Sequence, residues 1–194
     1  MAHIVLFHSV LGLRPGVRQF ALRLEAAGHK VTLPDLYHGE FFGNYEEGNE
    51  KWTALGIPKL LQRAQTVSNR LKGKLVFAGF SNGAALAEFV AATHPHAKGA
   101  LLFHGALPLE VLQLTAWPSH VPVQVHYGKD DPFRNPENDT ALKLAVKASG
   151  AQFEEFLYPV STHLFADPDL PDFDEDAAAL LLKRAAAFAH DAVS

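Results

Sequence analysis

The chain contains no cysteine in 194 residues. That excludes disulfides, a thiolate nucleophile and cysteine-ligated zinc. It also removes any reason to invoke an oxidising compartment. Lysine and arginine number 17 against 21 aspartates and glutamates, for a net charge of −4, and they form no run. A nucleic-acid partner is therefore not expected. No apolar stretch approaches the ~20 residues of a membrane span. The opening "MAHIVLFHS" lacks the basic start and cleavage site of a signal peptide. Neither G-x-G-x-x-G nor G-x-x-x-x-G-K-[ST] occurs, so dinucleotide and P-loop readings have no support. There is no internal repeat, low-complexity tract or linker. The expectation is one soluble, cytoplasmic domain over residues 1–194, monomer or homodimer, with no membrane partner.

What the chain does have is apolar residues, 48% of the total, in short runs separated by helical patterns. The runs are "HIVLF" (3–7), "KVTLP" (30–34), "KLVFA" (74–78), "GALLF" (99–103), "VPVQVHY" (121–127) and "QFEEFLYP" (152–159). Most are almost continuously apolar, as strands covered on both faces should be. The last alternates and reads as an edge strand. Between them, "RPGVRQFALRLEAAG" places Val17, Phe20, Ala21 and Leu24 on one helical face before Gly28. "NGAALAEFVAATHP" stops at Pro95, "ENDTALKLAVKASG" ends on Gly150, and "FDEDAAALLLKRAAAFAHDAV" opens acidic, as a helix N-terminus prefers. Alternating strands and helices imply a three-layer α/β sandwich around a mostly parallel sheet of about six strands. Residues 35–57 break the alternation. They read as a long loop carrying Tyr37, Phe41, Phe42, Tyr45 and Trp52, and as a candidate cap over a pocket.

The stretch "GFSNG" (79–83) lies where a strand pattern gives way at once to a helical one. That is the setting of a nucleophile elbow, in which a serine stands on a strained turn at a helix N-terminus. Gly79, Gly83 and Ala84 keep side chains out of the crowded turn. Ser81 is then the candidate nucleophile. A serine hydroxyl needs a base, and the base needs an orienting acid. Both follow in order at later strand ends. "VPVQVHY" runs into "GKDDPF", where either Asp130 or Asp131 could orient an imidazole. Adjacent side chains point differently, and the reading takes Asp131. "QFEEFLYP" runs into "VSTHLF", which offers His163. An oxyanion needs two N–H donors. Asn82, directly after the serine, supplies one, and Val10 in the turn "HSVLG" supplies the other. Ser9, Tyr37, His38, His104 and Phe165 are candidates for the pocket wall on the same rim. His94-x-His96 lies at a helix end without an acidic partner, so a metal site is not expected there. A flavodoxin-like module would share the strand order, but "HSVLGLRPG" is poor in the Ser and Thr a phosphate loop uses. A catalytically silent relative that binds a small ligand is the other alternative.

These residues resemble the dienelactone hydrolase family of α/β-hydrolases over nearly the whole chain. The resemblance is carried by "FHSVLGLRPGVRQFALRLEAAGHKVTLPDLYHG", "GFSNGAALA", "VPVQVHYGKDDPF" and "YPVSTHLFADPDLPDFDEDAAA". It implies the α/β-hydrolase fold and hydrolysis of a small ester, lactone or thioester without a cofactor. By resemblance the nucleophile falls on Ser81, the acid on Asp131, the base on His163 and the oxyanion donors on Val10 and Asn82. The chain also departs from the family pattern. Serine stands where well-known members have cysteine. Ser9 stands where they carry a glutamate that helps activate the thiol. Asp167 stands where they hold the substrate's carboxylate with arginine. The antiparallel N-terminal strands of larger relatives are missing, so the first strand should lie beside the nucleophile strand, with the second outside it. A carboxylate-bearing substrate is not expected.

Overall fold

The computed structural model describes residues 1–194. Six parallel strands form one sheet: β1 (His3–Phe7), β2 (Lys30–Thr32), β3 (Leu75–Phe80), β4 (Ala97–Phe103), β5 (Val123–Gly128) and β6 (Phe153–Tyr158). Their spatial order is β2-β1-β3-β4-β5-β6. The first strand therefore lies beside the third, and the second lies at an edge, as the family resemblance implied. This is the α/β-hydrolase fold, without antiparallel strands at its start.

Six α-helices connect or follow the strands: α1 (Pro15–Ala26), α2 (Tyr45–Leu55), α3 (Ile57–Ser68), α4 (Asn82–Thr93), α5 (Pro136–Ala148) and α6 (Glu175–Asp191). Successive strand residues face opposite sides. Ile4 and Leu6 pack with Phe20 and Leu24 of α1 and Leu181 of α6, while Val5 and Phe7 pack with Leu60 of α3 and Val90 of α4. The central strands are thus buried on both faces, which explains their unbroken apolar runs. Each fully buried Leu or Phe contributes about 1.5–3 kcal/mol to the folded state. β6 has only one neighbour, and of its six residues only Tyr158 is buried. No helix is long and apolar enough to cross a membrane.

The reading of 35–57 as a loop is corrected by α2. Asn44 caps this helix by accepting the Glu47 N–H at 2.9 Å, and Glu46 and Glu47 occupy the first turn. Two glycines, Gly43 and Gly48, and a weak apolar stripe hid it. Gly48 is there for packing: a Cβ would lie 2.9 Å from the Val10 carbonyl oxygen. The helix therefore rests directly on the turn after β1. A short 3-10 turn at Leu109–Leu112 also lacks a clear pattern in the sequence.

Helix α4 is apolar on nearly all sides, and its one charged side chain, Glu88, is fully buried. One carboxyl oxygen accepts the Leu107 N–H at 3.1 Å, and the other has no partner. Burial pushes this carboxyl up to about 8, opposed only by the Leu107 hydrogen bond. In the folded protein Glu88 therefore keeps its proton between its ordinary range and pH 8, while the unfolded chain releases it. Stability from this group is present at acid pH and lost as pH rises through that window. Glu88→Gln has no proton to lose. Its melting temperature relative to the parent should rise by about 5 °C or more between pH 5 and pH 8.5, read by scanning fluorimetry. Parallel curves would mean that Glu88 does not titrate in this way.

Candidate active site

All six strands are parallel, so their C-terminal ends share one edge of the sheet. The chain moves outward from β1 to β2 and then crosses back to β3. Ligands in open α/β sheets bind at such a reversal point. Here it lies between the turn after β1, which carries Ser9 and Val10, and the turn after β3, which carries Ser81.

Ser81 has φ 52° and ψ −118°, a backbone conformation that non-glycine residues rarely adopt. Such strain costs about 1–3 kcal/mol and persists only where the surroundings enforce it. The enforcement is close packing. A Cβ on Gly79 would lie 2.0 Å from the Gly83 carbonyl oxygen, and one on Gly83 would lie 2.4 Å from that of His8. The second contact presses the turn that follows β1 against the first turn of α4. The turn that carries Val10 thereby abuts the helix that starts at Asn82. The Val10 N–H has no acceptor in the protein, and the Asn82 N–H belongs to the helix's open first turn. Both donors are thus free, and the one on Asn82 directly follows the serine, at a helix end that favours negative charge.

The hydroxyl of Ser81 lies 2.8 Å from Nε2 of His163, and Nδ1 of His163 lies 2.7 Å from Oδ2 of Asp131. A carboxylate only accepts, so Nδ1 carries the hydrogen and Nε2 is left to accept from the hydroxyl. Asp131 is closed to solvent, and its other oxygen accepts the Phe133 N–H at 2.8 Å. Asp130 is an exposed turn residue. The three residues come from the ends of β3, β5 and β6, with the serine and the histidine 82 positions apart. A hydroxyl held in this way can attack a carbonyl carbon while passing its proton to the ring. The Ser81 hydroxyl also lies 3.2 Å from the side-chain oxygen of Asn82, a competing acceptor.

A cavity of about 280 Å³ opens beside Ser81 and His163. Its inner wall includes Leu86, His104, Ala106, Leu112 and Tyr127, all buried, and Trp52 of α2 reaches its side. No Lys, Arg, Asp or Glu lines it. His104 is the one residue of the expected pocket wall that does so. Its backbone is left-handed (φ 59°), and Phe165 packs edge-on against its ring at 4.6 Å. Burial first, then the nearby His163 and His126, hold His104 far below its ordinary value, so it is neutral. Neither of its ring nitrogens has a partner.

The other four wall candidates are corrected. Ser9 is buried in the turn after β1, where its hydroxyl accepts the Leu11 N–H at 3.2 Å. Tyr37 is buried edge-on against His8, at 4.7 Å between rings. Phe165 lies behind His104 rather than in the cavity. His38 is exposed in the turn that Asp35 caps through the Tyr37 and Gly39 N–H groups. All four lie near the correct edge, but the cavity opens on the β3–β5 side of it. Its lining from α2, α3 and the segment after β4 carried no signal in the sequence beyond apolarity. Asp167 is also outside the cavity: it is buried beside Gly16 and Arg14, with its carboxyl raised by burial. His8 donates to the Ser9 carbonyl at 2.7 Å and accepts from the Leu36 N–H at 3.2 Å, a structural role. No group of three His, Asp or Glu is placed to hold a metal ion.

The model of the dienelactone hydrolase family matches residues 1–192. The chain belongs to the dienelactone hydrolase family. As a member, it is an ester-cleaving hydrolase of the α/β-hydrolase type. It is 26% identical to a candidate carboxymethylenebutenolidase of Yersinia pestis, across 90% of this chain and 72% of that one. Among solved structures it resembles a dienelactone hydrolase-like promiscuous phosphotriesterase from metagenomic libraries, with a TM-score of 0.81 and 20% identity over 100% of this chain and 87% of the other. An esterase from Thermogutta terrifontis gives a TM-score of 0.69 with 18% identity over 98% of this chain and 83% of the other. At these identities the structural likeness establishes the fold.

The contact at Gly83 supports both the strained serine and the placement of Val10. Gly83→Ala is expected to lower unfolding free energy by about 1–3 kcal/mol, the usual range for overpacking. Urea denaturation would measure it, and an unchanged midpoint would show that the turn and α4 can separate freely.

Proposed function

We propose that this family member is a serine hydrolase that cleaves a small ester, lactone or thioester through an acyl-enzyme on Ser81. The observation that supports it most is the unbroken hydrogen-bonded line from Ser81 through His163 to Asp131, at 2.8 and 2.7 Å. In this reading the Ser81 oxygen adds to the substrate carbonyl carbon as its proton passes to His163 Nε2. Asp131 holds the ring in its reactive tautomer and stabilises the imidazolium that forms. The carbonyl oxygen becomes an oxyanion facing the N–H groups of Val10 and Asn82, each such donor being worth about 3 kcal/mol. The carbonyl re-forms, the bond to the leaving group breaks, and His163 Nε2 returns its proton to that group. Water then adds to the acyl-enzyme, giving a proton to His163, and collapse returns that proton to Ser81 as the acid departs. The steps draw on protein groups and water.

The partner in this reading is a small molecule. A dienelactone-type carboxylate is a poor fit. The cavity wall carries no cation, and the position that resembles the family's carboxylate-binding arginine is a buried aspartate turned toward Arg14.

Ser81→Ala should abolish labelling by a fluorophosphonate and lower p-nitrophenyl acetate hydrolysis by about 10³-fold or more, with the melting temperature preserved. Asp131→Asn should cost a similar factor by leaving the ring in the wrong tautomer. Full activity in the Ser81 variant would end this reading.

A further inference from the structure

The mouth of the cavity carries an anomaly. Ile57, Val111 and Phe133 all line it, yet they are 46%, 56% and 60% exposed. They come from three separate segments: the start of α3, the 3-10 turn after β4 and the loop after β5. Isolated exposed apolar residues need no explanation, but three converging on one opening form a patch, and such patches mark binding surfaces. The inner end of the same cavity is closed by buried Leu86, Ala106, Leu112 and Tyr127.

Chemistry orients a substrate between these two ends. In the proposed mechanism the leaving group takes its proton from His163 Nε2, so it must lie beside that ring. Phe133 packs directly on the ring, with centroids 4.7 Å apart. The leaving group is therefore on the mouth side, against Phe133, and the acyl group points to the closed end. Nearby cations do not compensate for a charge on either half. Arg134 is held by Asp139 and Glu155 at 2.9 Å each, and Arg14 by Asp169 at 2.9 Å.

We propose that the natural substrate is an uncharged ester with a short acyl group and an extended apolar leaving group, which lies across a collar formed by Ile57, Val111 and Phe133. This assignment rests on the serine-hydrolase reading. At about 30 Å³ for a water-sized group, the cavity of about 280 Å³ holds on the order of nine heavy atoms. The acyl chain therefore meets a limit, whereas the leaving group does not.

The test is a two-way series of esters, after fluorophosphonate labelling has verified Ser81. Catalytic efficiency, kcat/KM, reports acylation and so includes the leaving group. Across ethyl, butyl and hexyl butyrate it should rise about twofold per methylene, about sixteenfold in all, since a half-covered methylene gains less than the roughly fourfold of a fully buried one. With ethanol as the leaving group, efficiency should fall at least tenfold from octanoate to laurate. Monoethyl succinate, which carries a carboxylate at the acyl end, should be at least 100-fold poorer than ethyl butyrate. Val111→Ser and Ile57→Ser, both at the surface, should flatten the alcohol series. A flat series in the parent, a slope unaltered in both variants, or equal use of the charged ester would each overturn the collar assignment while leaving the nucleophile intact. Failure of Ser81 to label would instead remove both readings.

Discussion

The hydrogen bond between His163 Nδ1 and Asp131 Oδ2, 2.7 Å long and shielded from water, governs the chemistry available at the sheet's edge. It determines which ring nitrogen carries the hydrogen, and so which one is free to accept from Ser81. Without it the imidazole could rotate or adopt the other tautomer, and the serine would be an ordinary helix cap. The bond in turn depends on the acid being anchored. Asp131 accepts from the Phe133 backbone on its second oxygen, and the Phe133 ring then covers the imidazole. One short loop thereby orients the acid, shields the base and supplies part of the cavity mouth.

The opposite half of the site depends on close approach rather than on hydrogen bonds. β1 and β3 are adjacent, and glycine at 79 and 83 lets the turns above them come closer than any side chain would permit. That compression holds Ser81 in its strained conformation and brings the turn that carries Val10 against the start of α4. Helix α2 extends the same theme. Gly48 lets it rest on the Val10 carbonyl, from where Trp52 reaches the cavity. Tyr45, at the start of α2, stands over the His163 ring at 6.1 Å and hydrogen-bonds Asp172 at 3.1 Å. The segment that looked like a loose cap is thus a packed helix tied to both halves of the site.

The cavity and the relay differ in character. The relay is polar and paired, with Asp131 and His163 buried and Ser81 half-buried. The cavity is mostly apolar, with Asn135 and Asn138 also in its wall and no Lys, Arg, Asp or Glu, and it runs from buried side chains to the exposed Ile57, Val111 and Phe133. His104 stands at their junction as a neutral ring with no hydrogen-bond partner, wedged between Phe80 and Phe165. A cation in its place would lie beside His163 and oppose the imidazolium that the proposed mechanism requires.

Local pattern alone determined the strand and helix alternation, the parallel sheet, the turn at Ser81, the candidate His163 and the pair Asp130 and Asp131 as candidates for the acid. These were readable because buried strands, helix starts and strand-end turns each have a short-range chemical signature. Helix α2 escaped because Gly48, required for close packing on the Val10 carbonyl, looks in one dimension like a loop residue. Tertiary structure alone decided which side of the edge the cavity opens on, and so why Ser9, Tyr37, His38 and Phe165 are not in its wall. It also decided that Asp167 faces Arg14 and that Ile57 and Val111 share a mouth with Phe133. Contacts between residues distant in the chain depend on how whole elements cross and pack, and no local run of residues encodes that distance or direction.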